Sequence, residues 1–151
     1  MAEHQQLVLR TAYRLLGNLE DARDTAQEVF LRLLKHAGEI AGEPQAWLYR
    51  VTVNICMDRH RRRIPSASME REPADHARDP EQTLLFEERK RLLNDGLAIL
   101  SPRERAAVVL RDIEGLATRE VAQILGVEEV TIRSHVAEAR VKLAKYVRGR
   151  R

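Results

Sequence analysis

Within "AWLYRVTVNICMDRHRRR", residues 46–63, helical rotation of about 100° per residue puts Arg50, Asn54, Met57 and Arg61 on one polar face, with Trp47 at its edge. Guanidinium groups pair with phosphates, an amide bonds base edges, and an indole stacks on an unpaired base, which is worth about 1–3 kcal/mol. This chemistry suits gripping the strands of opened DNA, not breaking bonds. The same residues fit a plainer reading equally well, with Trp47 in the core and the arginines of residues 59–63 ending a helix against its dipole. The stretch by itself leaves both open.

A second constellation lies in "ATREVAQILGVEEVTIRSHVAEARVKL", residues 117–143. Small Ala122 sits where two helices can cross closely, Gly126 falls in the turn, and Ile132 anchors the second helix, which is the spacing of a helix-turn-helix. Ile132, Val136, Ala139 and Leu143 make one inward stripe. Val130, Thr131, Ser134, Ala137 and Glu138 then face outward, flanked by Arg133 and Arg140. Such a face fits a major groove, with Ser134 and Glu138 reading bases and Arg133, Arg140 and Lys142 holding phosphates. An ordinary helical hairpin with solvated charges is the alternative, and it meets few of these spacing conditions by design.

Catalysis finds no support. Asp21 and Asp24 are nearly one helical turn apart, yet no base or pocket residue accompanies them. The single cysteine, Cys56, excludes an intramolecular disulfide, and the 5 histidines lack metal-ligand spacing. No catalytic residue, metal or cofactor is expected.

These residues need helices to hold them. The chain has 151 residues, 44% hydrophobic and 32% charged but only 4% aromatic, a mixture that favours helices and leaves room for two small units. Leu9, Ala12, Tyr13 and Leu16 mark a first helix, which Gly17 ends. Asn18 caps a second helix, with Asp21 in the capping-box position. That helix buries Ala22, Ala26, Val29, Phe30 and Leu33 and leaves Asp21, Asp24, Gln27, Glu28 and Arg32 outside. A third helix runs from Gln45 to about Arg62, its apolar stripe formed by Leu48, Val51 and Ile55.

"IPSASMEREPADHARDP", residues 64–80, reads as a linker. Leucine periodicity resumes from Glu81 to Leu100. Ser101-Pro102-Arg103-Glu104 then opens another helix with a capping box, extending to about Gly115. A short helix over residues 118–125 and a long one over residues 129–147 complete the chain. The expected fold is all-α: two small helical domains, residues 1–63 and 81–151, joined by a flexible linker at 64–80, the second being a helix-turn-helix. Few apolar anchors in the linker point to loosely tethered units.

The net charge of +3 is modest, but it concentrates at residues 59–63 and 142–151, as nucleic-acid contact requires. No apolar run approaches bilayer length and no signal-peptide core appears, so a cytoplasmic protein without membrane insertion is expected.

Three motifs in this order, "LEDARDTAQEVFLRLL", "AWLYRVTVNICMDRHRR" and "LSPRERAAVVLRDIEGLATREVAQILGVEEVTIRSHVAEAR", resemble an extracytoplasmic-function (ECF) sigma factor. This is a minimal member of the bacterial sigma-seventy family, containing only the second and fourth conserved regions. The resemblance covers nearly the whole chain. It implies that the second helix docks on the clamp helices of core RNA polymerase through Asp21, Asp24, Gln27, Glu28 and Leu31. It implies that Trp47, Arg50, Asn54, Asp58, Arg61 and Arg62 recognise and melt the downstream promoter element. Thr131, Arg133, Ser134, His135, Ala137, Glu138 and Arg140 match the part that reads the upstream element as duplex.

The resemblance also implies control by a separate anti-sigma factor, since only "AKYVRGRR" comes after Leu143. Glu70, Glu72, Asp75 and Asp79 in the linker fit either mimicry of RNA in a polymerase channel or a plain soluble tether. Val53, Val130 and Glu138 depart from residues common in the family, so a promoter sequence does not carry over. Two other readings are a helix-turn-helix regulator of response-regulator type and a protein that binds polymerase or an anti-sigma factor without initiating. The first leaves residues 24–30 and 47–62 unexplained.

Overall fold

The structure, a computed structural model, describes residues 2–63 and 80–149. Every regular element among them is helical: α1 Ala2–Leu16, α2 Leu19–His36, α3 Gln45–Arg63, α4 Pro80–Ala98, α5 Pro102–Val108, a π-helical turn Val109–Ile113, α6 Thr118–Leu125 and α7 Glu129–Gly149. The linker proper, with its acidic residues Glu70, Glu72, Asp75 and Asp79, lies outside the described residues.

The ends of these helices are set by local chemistry. Gly17 adopts φ 71°, left-handed backbone that glycine enters without a steric penalty, and so closes α1. Asn18 is extended, and its side chain accepts the Asp21 amide at 3.0 Å to start α2. Ser101 and Glu104 form the full capping box of α5, with bonds of 3.2 and 3.0 Å.

α5 does not run on as an α-helix to Gly115. It widens into the π-turn, in which the Glu114 amide reaches back to the Val109 carbonyl at 2.9 Å. One extra residue per turn rotates the chain beyond it by about 100° relative to an uninterrupted helix.

α1, α2 and α3 pack as a three-helix unit around Val8, Ala12, Ala22, Val29 and Leu48. α5, α6 and α7 enclose Leu110, Val121 and Ile132, with Leu97 of α4 also buried. Contrary to the expected loose tether, one continuous apolar cluster extends through both units, with α3 against α6 and α1 against α4 and α5.

Candidate nucleic-acid interface

In the C-terminal unit, α6 ends at Gly126, whose φ of 68° turns the chain so that α7 starts across it. Ile132, Val136 and Ala139 are buried and Leu143 half-buried, as the stripe requires. On the opposite side Val130, Arg133, Ser134, Ala137 and Glu138 are exposed, while Thr131 and His135 are half-buried at its margins.

Two of the three cations expected to hold phosphates are already engaged. Arg140 donates to Asp112 through Nε at 2.8 Å and Nη2 at 2.7 Å, and this pairing holds the Asp112 carboxyl below its usual range. Lys142 Nζ lies 2.9 Å from both Glu104 carboxylate oxygens. With the Ser101 amide adding its bond, the Glu104 carboxyl is pushed down to about 2. Sequence spacing places Arg140 and Lys142 on the surface but is silent about partners arriving from α5 and the π-turn. Arg133 stands outside these pairs.

In the N-terminal unit, Arg50, Asn54, Arg61 and Arg62 of α3 are exposed. Trp47 is half-buried, packed on the core and tilted against the His36 ring at 6.5 Å. Met57, expected on the polar face, instead packs partly into the core. Asp58 is tied to Arg61 at 3.5 Å and Arg62 at 3.2 Å.

Of the α2 residues, Asp24, Gln27 and Leu31 are exposed and Glu28 is half-buried. Asp21 is a correction: it is only 9% exposed. Its place in the first turn of α2 points it toward the end of α3, where Arg59 approaches to 3.7 Å. A cleft of about 590 Å³ between α2 and α3 brings Glu28 and Arg32 together with Asn54, Asp58, Arg61 and Arg62.

The buried side of α3 is broader than the predicted stripe, because Tyr49, Thr52, Val53 and Cys56 are buried as well. Helical rotation puts Tyr49, Val53 and Cys56 on one side. There the Tyr49 hydroxyl donates to Glu114 at 2.8 Å, and Arg10 of α1 donates to the same carboxylate at 2.9 and 3.1 Å. Burial, then the Glu114 bond, pushes the Tyr49 phenol up to about 12.

Arg105 crosses in the other direction, its Nε donating to the Arg14 carbonyl at 2.8 Å, among the last carbonyls of α1. Burial pulls its guanidinium down to about 10. Burial also raises the Cys56 thiol to about 12, against the opposing charges of Arg59 and Arg105. No motif announces Tyr49, Glu114, Arg10 or Arg105. The one clue in the sequence is Val53, which departs from the residues common in the family at that place and is buried at 1% exposure.

Residues 1–64 match the Sigma-70 region 2 family, and residues 90–143 match Sigma-70, region 4. The chain is 39% identical to the ECF RNA polymerase sigma factor SigE of Mycolicibacterium smegmatis, over 96% of this chain and 59% of that protein. It is 32% identical to the ECF RNA polymerase sigma factor SigM of Mycobacterium tuberculosis, over 94% of this chain and 72% of the relative. Among solved structures, the sigma factor RpoE in complex with the anti-sigma factor NepR from Bartonella quintana has the same fold, with a TM-score of 0.75 at 20% identity. That match covers 99% of this chain and 95% of the other. The Mycobacterium tuberculosis extracytoplasmic function sigma factor SigJ matches with a TM-score of 0.69 at 28% identity, over 94% of this chain and 52% of SigJ. Two sigma regions in their expected order, carried on a helical frame shared with such proteins, make the chain a member of the ECF sigma factors of the sigma-70 family, which direct RNA polymerase to promoters.

Proposed function

We propose that residues 1–63 and 81–151 act as separate promoter-handling domains on core RNA polymerase, joined by a linker at 64–80. Asp24, Gln27, Glu28 and Leu31 of α2 form the polymerase face, an exposed polar surface with one apolar residue, as suits a non-obligate interface. Asp21 serves that face from beneath, as the first-turn carboxylate beside Arg59. Trp47, Arg50, Asn54, Asp58, Arg61 and Arg62 take the downstream element as its strands part. The outward side of α7, with Thr131, Arg133, Ser134, His135, Ala137, Glu138 and Arg140, reads the upstream element as duplex.

The observation that carries this reading is that α3 spends its apolar side on packing and leaves Arg50, Asn54, Arg61 and Arg62 exposed along the other. The polymerase supplies the chemistry and this chain contributes no catalytic group. It works in the cytoplasm, and its control lies with an anti-sigma factor, the kind of protein bound in the RpoE–NepR structure.

Run-off transcription with purified core polymerase tests this. Trp47→Ala is expected to reduce transcript from a duplex promoter by about fivefold or more, the equivalent of one lost base stack, and to recover on a template with a pre-opened bubble. Equal loss on both templates, or none on either, would remove α3 from strand opening.

A further inference from the structure

Val130 is the second residue of α7, and it is 58% exposed. A β-branched side chain there adds nothing to helix propensity and little to the core. Rotation along α7 places Val130, Ser134, Ala137 and Val141 within about 60° of one another, with Arg133 on one flank and Glu138 on the other. All four are exposed, so the outward face has a ridge that is small and mostly apolar, and Val130 is its bulkiest member near the turn.

The surroundings of Val130 argue against a phosphate neighbour. Glu128 and Glu129 immediately precede it and share a shallow depression with Arg119 and Gln123 across the turn. Carboxylates at that end of the helix repel the DNA backbone, so the first turn is best placed over base edges in mid-groove. Among those edges, only thymine presents a methyl group in the major groove.

We infer that Val130 is a specificity-determining residue that packs on a thymine 5-methyl in the upstream promoter element. The inference rests on α7 entering the major groove, and it adds an apolar reader to the polar one, Ser134. The other candidates are less well placed: Thr131 is half-buried at the margin of the face, Ala137 ends at its β-carbon, and Val141 lies about 16 Å further along the helix.

The experiment uses full-length protein with core polymerase to select promoters from duplexes randomised in the upstream element. Each selected thymine is then replaced by deoxyuridine, which lacks only the 5-methyl. One replacement is expected to weaken holoenzyme binding about fourfold, the worth of one methyl removed from water. Val130→Ala is expected to abolish that sensitivity while leaving the preference at other positions. Selection of sites without thymine, tolerance of uracil everywhere, or unchanged uracil sensitivity in Val130→Ala would each overturn the assignment. If alanine at Arg133, Ser134 and Val130 alike left the selected sequence unchanged, α7 would not be the reader and the inference would fall with that premise.

Discussion

The hydroxyl of Tyr49 on α3 donates a 2.8 Å hydrogen bond to Glu114, a residue 65 positions away whose side chain is 1% exposed. The same carboxylate accepts Arg10 of α1. Glu114 is thus the point at which two helices of the N-terminal unit are fastened to the end of the π-turn, its carboxylate shielded while the Arg10 guanidinium stays half in solvent.

Truncating one member of such a group leaves the others unpaired. Glu114→Ala is expected to lower unfolding free energy by about 2–3 kcal/mol, read as a lower denaturant midpoint. Tyr49→Phe removes only the neutral donor and is expected to cost about 1 kcal/mol. An unchanged midpoint in Glu114→Ala would mean that the fastening contributes nothing.

Tyr49 also makes that junction sensitive to base. Its folded pKa is raised from 10.0 to about 12, so it contributes stability that is complete below pH 10 and is lost as pH climbs through 12. Melting temperatures of wild type and Tyr49→Phe should therefore converge between pH 10 and 12. Parallel curves across that window would contradict the shift.

Glu104 acts at the acid end with the opposite sign. Its folded pKa is depressed from 4.5 to about 2 by Lys142 and the Ser101 amide, so its contribution is present above pH 4.5 and disappears as pH falls toward 2. Glu104→Gln is expected to be less stable than wild type at pH 7 and to show a smaller further loss between pH 4.5 and 2. An identical acid profile would show that the α5–α7 pair is energetically idle.

If α7 reads DNA as proposed, Asp112 and a phosphate would compete for Arg140, which the structure shows paired with Asp112. Asp112→Asn frees that guanidinium and removes a negative charge from the edge of α7, so promoter binding should strengthen several-fold at low salt. The dependence of log affinity on log salt should steepen by about 0.9, the signature of one added phosphate contact. Weaker binding in Asp112→Asn would mean instead that the pair holds Arg140 in its working position.

Cys56 reports whether the halves part. Burial and a thiol raised to about 12 make it a poor nucleophile at neutral pH, and alkylation should be slow in the native protein. Glu114→Ala should accelerate labelling under native conditions. Equal rates in both proteins would place the opening that exposes Cys56 elsewhere.

The helices and the inward faces of α1, α2 and α7 were legible in the sequence because each rests on local rules: periodicity, Asn18 and Ser101 as caps, and glycines at the stops. Asp21 was misplaced because counting rotation along α2 ignores the end of α3, which supplies Arg59 from 38 residues away. The engagement of Arg140 and Lys142 was missed for the same reason, since Asp112 and Glu104 approach from separate elements. Tyr49 and Glu114 were invisible because the π-turn that redirects the chain carries no glycine, proline or capping signal. Spacing could be read within α1, α2 and α7, whereas the broader buried side of α3, Met57 included, and the pairings between units depend on how the units dock and could not.

The unbroken apolar cluster has a thermodynamic consequence. If each half had its own core, heating would melt them in two steps, each with a fraction of the total enthalpy. A core shared through Tyr49, Val53, Leu97 and Leu110 couples their fates, so the chain is expected to lose both halves in one calorimetric transition whose van't Hoff and measured enthalpies agree.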